Sequence, residues 1–432
     1  MIDVRTIEPR PEPAAPVLDG APAPKAAARL GWLDALRGIA ALLVVFQHTG
    51  STLLPPLYRQ THAVFDAGIC GVFLFFLVSG YIVPASLERK GDLRGFWIGR
   101  YFRIYPLITA VVVVGALCLP VKVGAVSGQW HTQPWLLAGA NGPLLAELLG
   151  VGNTMRVSWT LAYEMAFYFL VSGLFALGWH RRSAPVAVGF GTLAVVAGAA
   201  LPMGLLSHGP TATARTVVAT DVIVVLAMGL VILGGRGLRR TGVLTLSALA
   251  LVLVLVNSGI VPFESMMILA TMFAGTAIYR AEHGQIKRWH GVLSSALVLT
   301  AGLVSGLLYD GRYLRFTWTE TVTSWCTAII GAWLLFGLGL LVRHRRIPRV
   351  LSWLGAISYA CYLLHVPAFV CLEWIRRRHG FTVHGPVQHL TYTALFLAIL
   401  LASSYAAHRL IELPGQRLGR RAANWISARR PA

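Results

Sequence analysis

Leu33-Asp-Ala-Leu-Arg-Gly-Ile-Ala-Ala-Leu-Leu-Val-Val-Phe-Gln-His48 is the stretch that decides how this chain is read. The run is apolar enough to form most of a membrane helix, yet it carries Asp34 and Arg37 at one end and His48 at the other. Charged side chains cost several kcal/mol at bilayer depth, so they persist where they face a protein interior or carry out chemistry. Arg37 and His48 are eleven residues apart in the sequence, close to three helical turns. They therefore share one face, roughly 16 Å apart along the axis.

The whole chain agrees with a membrane setting. Of its 432 residues 56% are hydrophobic and 12% charged, and the mean hydropathy is +0.66. A soluble protein carries about twice that charged fraction. The formal net charge of +20 would suggest nucleic acid in a soluble domain. In a membrane protein it is accounted for by Lys and Arg in cytoplasmic loops, and no nucleic-acid partner is expected. The five cysteines have no CxxC spacing and lie in apolar segments, as small core hydrophobes do. Residues 1–28 are rich in Pro and Ala, without an apolar run behind a basic start. They read as a disordered cytoplasmic tail and not as a cleavable signal peptide.

Apolar runs of about 20 residues predict helices near 31–52, 66–87, 102–120, 157–179, 184–206, 213–234, 243–258, 262–280, 291–309, 319–342, 351–375 and 388–411. The fold class is all-α, a polytopic membrane protein of about 10–12 transmembrane helices. The stretch 135–151 is too short to span and reads as re-entrant or interfacial. With the N-terminus inside, the inside loops collect Arg89, Lys90, Arg94, Arg100 and Arg103, then Arg181 and Arg182, Arg236 to Arg240, Arg280 to Arg288, and Arg343 to Arg349. That alternation fits the positive-inside rule, with Arg376-Arg377-Arg378 as the exception. The expected organisation is the tail 1–28, a membrane domain 29–415 and a basic cytoplasmic tail 416–432, with both termini cytoplasmic in the inner (plasma) membrane.

Several stretches can carry chemistry. Ser79-Gly80 sits mid-helix, where small residues let helices approach closely. Arg100 and Arg103, set among Phe96, Trp97, Tyr101, Phe102 and Tyr105, read either as a topology signal or as a pair of guanidinium forks for phosphate. Glu164 falls roughly 10 Å into the fourth helix by helical rise and needs a partner. His48, in the outer half of its own helix, is the expected one, and a carboxylate on one imidazole nitrogen raises basicity at the other. Arg215 and Asp221 read as a structural pair, Glu264 as a helix-end group that reaches water, and His365 as a core histidine rather than a catalyst. Arg409 and Glu412 read as an interfacial ion pair. No HExxH, Walker loop, GxSxG or metal-ligand cluster is present in the sequence, so no metal is expected.

Taken together, the chain resembles the acyltransferase 3 family of integral membrane O-acyltransferases. The resemblance rests on Leu33-Asp-Ala-Leu-Arg-Gly with Arg37-x10-His48, on Ser79-Gly-Tyr81, on Arg100-x2-Arg103-Ile-Tyr-Pro106 and on Trp159-Thr-Leu-x2-Glu164-x3-Tyr168. It continues in Ile357-Ser-Tyr-x2-Tyr-Leu-Leu-His365 and Glu412-Leu-Pro414. The resemblance implies transfer of an acyl group, often acetyl, from cytoplasmic acyl-CoA to a hydroxyl of a glycan, glycolipid or glycosylated natural product. It carries His48, Glu164 and Arg37 over as catalytic positions, and Arg100 and Arg103 as holders of the acyl-CoA donor. Three departures stand out: Thr160-Leu161 replaces the usual Ser-Leu, twelve helices exceed the usual ten, and no fused SGNH-type domain is recognised. Acceptor contacts are expected from 51–65, 121–156 and 309–318, where Trp130, His131, Trp135 and Trp318 can stack on sugars or serve as interfacial aromatics. The rival reading is a proton-coupled secondary transporter or flippase using Arg37, His48, Glu164 and Asp221. No inverted repeat supports it.

Overall fold

The computed structural model describes residues 31–118, 133–309, 319 and 321–429. The tail 1–28 and the side chains of Trp130, His131 and Trp318 lie outside these residues. All twelve predicted stretches fall on helices, and the protein is an all-α, multi-pass membrane bundle. The long helices are α1 (Gly31–Leu53), α3 (Ala67–Lys90), α4 (Leu93–Cys118) and α6 (Trp159–Ala176). They continue as α7 (Ser183–Ala197), α8 (Pro210–Leu233), α9 (Arg236–Val256), α10 (Pro262–Glu282), α11 (Arg288–Leu308), α12 (Val322–Leu341), α14 (Ser358–Arg378) and α15 (Gly385–Ala407). The remaining helices are α2 (Pro55–His62), α5 (Pro134–Asn141), α13 (Arg349–Ala356) and α16 (Leu413–Arg429). The stretch 135–151 becomes α5 and a 3-10 turn at Ala146–Leu149, with Leu136, Leu137, Leu145, Leu148 and Leu149 packed into the core. The basic stretch from 416 is helical as far as Arg429 and lies along α4.

Among the described residues, nine helices are both long and apolar enough to cross a membrane. Three of the twelve predicted stretches fall outside that set, each for a visible reason. Helix α7 has only 15 residues. Helix α1 carries Asp34, Arg37, Gln47 and His48. Helix α10 carries Glu264, Arg280 and Glu282, and it is enclosed by protein instead of lipid. Every residue from Pro262 to Ala277 in α10 is buried, against α3, α7 and α11. Glu264, expected to reach water, is only 2% exposed. Its position in the first turn of a helix said nothing of the neighbours that cover it.

The arginine-bearing segment starts earlier than its hydropathy suggests. The Asp92 carboxylate accepts from the backbone N–H groups of Arg94 (3.0 Å) and Gly95 (2.8 Å), capping a helix that begins at Leu93 and not near 102. Arg100 and Arg103 are therefore held in the second and third turns of α4 and not in a loop. Helix α3 is capped in the same way by Asp66, which accepts from Ile69 N–H at 2.8 Å.

Close crossings of backbone set the positions of the central helices. A Cβ at Gly80 would lie 1.9 Å from the carbonyl oxygen of Met272 on α10, and Thr276 donates to the Gly80 carbonyl at 2.8 Å. Gly80 thus packs helices, as small residues do. Gly355 of α13 meets α1 as closely, its Cβ position lying 1.8 Å from the Asp34 carbonyl oxygen. At one end of the bundle the Arg280 guanidinium is 1% exposed and forms a two-pronged ion pair with Glu88 of α3.

Gly80→Ala is expected to destabilise the fold by roughly 1–3 kcal/mol through forced separation of α3 and α10. Gly99→Ala, whose Cβ meets nothing within 4 Å, is expected to be neutral or slightly stabilising. Thermal unfolding of both variants in one detergent checks the contrast.

Candidate active site

Two chambers lie back to back along α1. The first is a narrow space of about 80 Å³ lined by Arg37, Arg100, Arg103, Glu164, Ser79, Thr160 and Tyr359, with apolar walls from α3. Arg100 is only 7% exposed, and its guanidinium stacks over the rings of Phe96 (5.2 Å) and Tyr168 (5.1 Å). Those ring faces supply the cation–π attraction that helps to offset its desolvation. Tyr168 donates its hydroxyl to Glu164 one turn back on α6. Tyr359 donates to the Ile104 carbonyl at 2.9 Å and so ties α14 to α4. Three guanidinium groups face a single carboxylate among the lining residues, a charge balance that favours an anion.

The second chamber, of about 350 Å³, is lined by His48, Gln47, Tyr58, His62, Asp66, Arg156, Trp159 and Tyr362. Tyr58 and His62 of α2 stack with ring centroids 4.6 Å apart. Val72 and Tyr362 line both chambers, so the partition is one side chain thick. The Tyr362 hydroxyl lies 2.8 Å from the Val157 carbonyl and 2.8 Å from Thr160 Oγ1, and its ring meets Phe75 edge-on.

The structure brings Arg37, Arg100, Arg103 and Glu164 together and sets His48 apart. The expected pairing of His48 with Glu164 is not formed. Glu164 lies level with the Arg37 end of α1, and the Tyr362 partition separates it from the His48 chamber. His48 instead meets His365 of α14, with His365 Nε2 3.4 Å from His48 Nδ1 and ring centroids 5.1 Å apart. His365 is 0% exposed. An apolar, aromatic context had marked it as a core histidine. The one signal in the sequence was a second ionisable group in the outer half of a predicted span, and only the packing of α1 on α14 gives it a partner.

Other expected pairs also change. Arg215 is exposed, and no ion pair links it to Asp221, which lies six residues on and about 120° around the helix. Asp221 borders a third, mainly apolar cavity of about 690 Å³ with Trp97, Tyr101, Tyr105 and Met228, which adjoins the arginine chamber at Arg100. Glu412 accepts from His408 Nδ1 at 2.8 Å within a π-helical turn, while Arg409 lies over the Tyr405 ring at 5.6 Å. Arg376 and Arg377 both pair with Glu373, which offsets one of the three positive charges in the exceptional cluster. Of the expected acceptor-contact segments, 51–65 contributes Tyr58 and His62 to the second chamber and 121–156 contributes Arg156. Trp135 is exposed on α5 and does not line it.

The family profile described as Acyltransferase domain matches residues 30–409. The chain belongs to the acyltransferase 3 family. Among curated relatives, Acyltransferase MdmB of Streptomyces mycarofaciens is 29% identical over 184 residues, covering 38% of this chain and 43% of the relative. Nodulation protein 10 of Rhizobium leguminosarum bv. viciae is 27% identical over 164 residues, covering 34% and 44%. The chain thus spans less than half the length of these relatives. No solved structure matches it.

Arg100→Lys is expected to weaken binding of inorganic pyrophosphate by about tenfold, or roughly 1.4 kcal/mol, because an ammonium loses both the fork and the stacking. Arg156→Lys, in the other chamber, is expected to leave it unchanged. Titration calorimetry in detergent micelles distinguishes the two.

Proposed function

We propose that this protein is a membrane O-acyltransferase moving an acyl group, acetyl in the first instance, from acyl-CoA to a hydroxyl of a glycan, glycolipid or glycosylated natural product. The observation that carries the reading is the back-to-back pair of chambers, cationic on one side and histidine-bearing on the other, divided by Tyr362. In this reading the Arg37 end of α1 faces the cytoplasm in the plasma membrane, with both chain termini on that side. Arg100 and Arg103 hold the phosphates of CoA, and Arg37 and Glu164 flank the path of the thioester arm. The apolar wall from Val83 to Val72 of α3 runs roughly 16 Å by helical rise, a shaft suited to an extended, uncharged arm.

The acceptor enters the second chamber, where Tyr58, His62 and Trp159 provide ring faces for a sugar. His48 Nε2 takes the proton of the acceptor hydroxyl as its oxygen attacks the thioester carbonyl carbon. The tetrahedral oxyanion forms in reach of the positive charge of Arg156. It collapses by breaking the C–S bond, and the thiolate leaves with a proton returned from His48. The products are the acyl ester and free CoA. Imidazole has both a donor and an acceptor nitrogen, which suits it to take a proton and return it in one turnover.

The transporter reading needs a connected line of ionisable groups. Here Arg37 and Glu164, His48, and Asp221 line three different cavities. Proton-coupled flux into proteoliposomes without acyl transfer would favour it.

Two outcomes are expected with purified protein, acetyl-CoA and a hydroxyl acceptor. His48→Ala lowers transfer by about 100-fold or more without loss of thermal stability, and undiminished transfer would refute the assignment. Arg103→Ala raises KM for acetyl-CoA by about tenfold, the loss of a charge-assisted phosphate contact, with less change in kcat. Steady-state release of CoA thiol measures both.

A further inference from the structure

The proposed base has a neighbour whose geometry constrains it. His48 Nδ1 lies 2.9 Å from the carbonyl oxygen of Val44. A carbonyl only accepts, so Nδ1 carries the proton. That carbonyl sits one turn back on α1 and already receives a backbone N–H in the helical ladder, which makes it a shared acceptor. His365 obeys the same rule: its Nδ1 lies 2.8 Å from the Tyr362 carbonyl and must be protonated there. Its Nε2 is then a bare lone pair, 3.4 Å from His48 Nδ1. The two imidazoles come from positions 317 residues apart and are brought together by the packing of α14 on α1.

We infer that His365 is a positioning residue that holds His48 as the Nδ1-protonated tautomer, so that Nε2 is the nitrogen offered to the acceptor hydroxyl. The inference rests on His48 acting as the base. His48 donates a branched hydrogen bond from Nδ1–H to Val44 and His365, and the ring is fixed both in tautomer and in orientation. When Nε2 takes the acceptor proton, the Nδ1–H bond to His365 becomes charge-assisted and stabilises the imidazolium. His365 is fully buried and lines neither chamber, so it acts through His48 and does not touch substrate. This is the orienting part that Glu164 was expected to play, supplied by a neutral acceptor in place of a carboxylate.

The test compares His365→Gln, His365→Asn and His365→Ala in the purified full-length enzyme with acetyl-CoA and a hydroxyl acceptor. Glutamine sets an amide oxygen near the position of the imidazole Nε2, whereas asparagine is too short to reach it. The Asn and Ala variants are expected to lose kcat on the order of tenfold to a hundredfold, within the range of acid–base contributions, with KM for both substrates unchanged. His365→Gln is expected to retain most of kcat. Wild-type kcat in the Asn variant, or a loss confined to KM, would overturn the inference. Equal loss in Gln and Asn would overturn it as well, since the imidazole itself would then be handling the proton. Because Gln and Asn are both polar and of similar bulk, their contrast survives even where Ala fails to fold. His48→Ala is assayed alongside. If it retains transfer, the proposed function fails first; if it is inactive while His365→Asn is unaffected, only the role of His365 fails.

Discussion

Charge is expensive in hydrocarbon, by several kcal/mol per group, and the architecture of this bundle follows from that cost. Several ionisable side chains in the membrane helices have been given protein to face. Arg280 on α10 is enclosed and paired with Glu88. Arg100 is covered by two aromatic rings. Glu412 bonds with His408. Enclosure on this scale needs a helix that lipid never touches, and α10 is that helix. Its glycine crossing with α3 brings two backbones together so closely that neither a side chain nor a lipid can enter between them.

Around that pillar, α1 serves as the spine of the site. One face of one helix delivers Arg37 to the arginine chamber and His48 to the histidine chamber, about three turns apart. Helix α6 crosses the same boundary, with Trp159 on the histidine side and Thr160, Leu161 and Glu164 on the arginine side. Tyr362 closes the gap between them with its hydroxyl anchored at both Val157 and Thr160. The two chambers in this way meet at one boundary, where Val72 and Tyr362 line both.

The relation between chambers also explains which pairings change on folding. Asp34, Arg37 and His48 are fixed to one helix face by spacing alone, as are Arg100 and Arg103 on α4. Partners on different helices depend on crossing points. Gly355 against Asp34 and Gly80 against Met272 set those crossings by close backbone contact, and hydropathy carries no trace of them.

The amino-acid sequence by itself determined the all-α membrane class, the positions of twelve helical stretches, the family, and the candidacy of Arg37, His48, Arg100, Arg103 and Glu164. These features are local, written in apolar runs of one bilayer thickness, in 3.6-residue periodicity and in short motifs. Tertiary structure alone decided that Glu164 joins the arginines and not His48, that His365 is the neighbour of His48, that Glu264 is buried, and that Asp92 starts α4 a full two turns early. Which polar group meets which across a bundle depends on the height and rotation at which helices cross. Those are set by close backbone contact between segments hundreds of residues apart, where the chain holds no periodic signal to read.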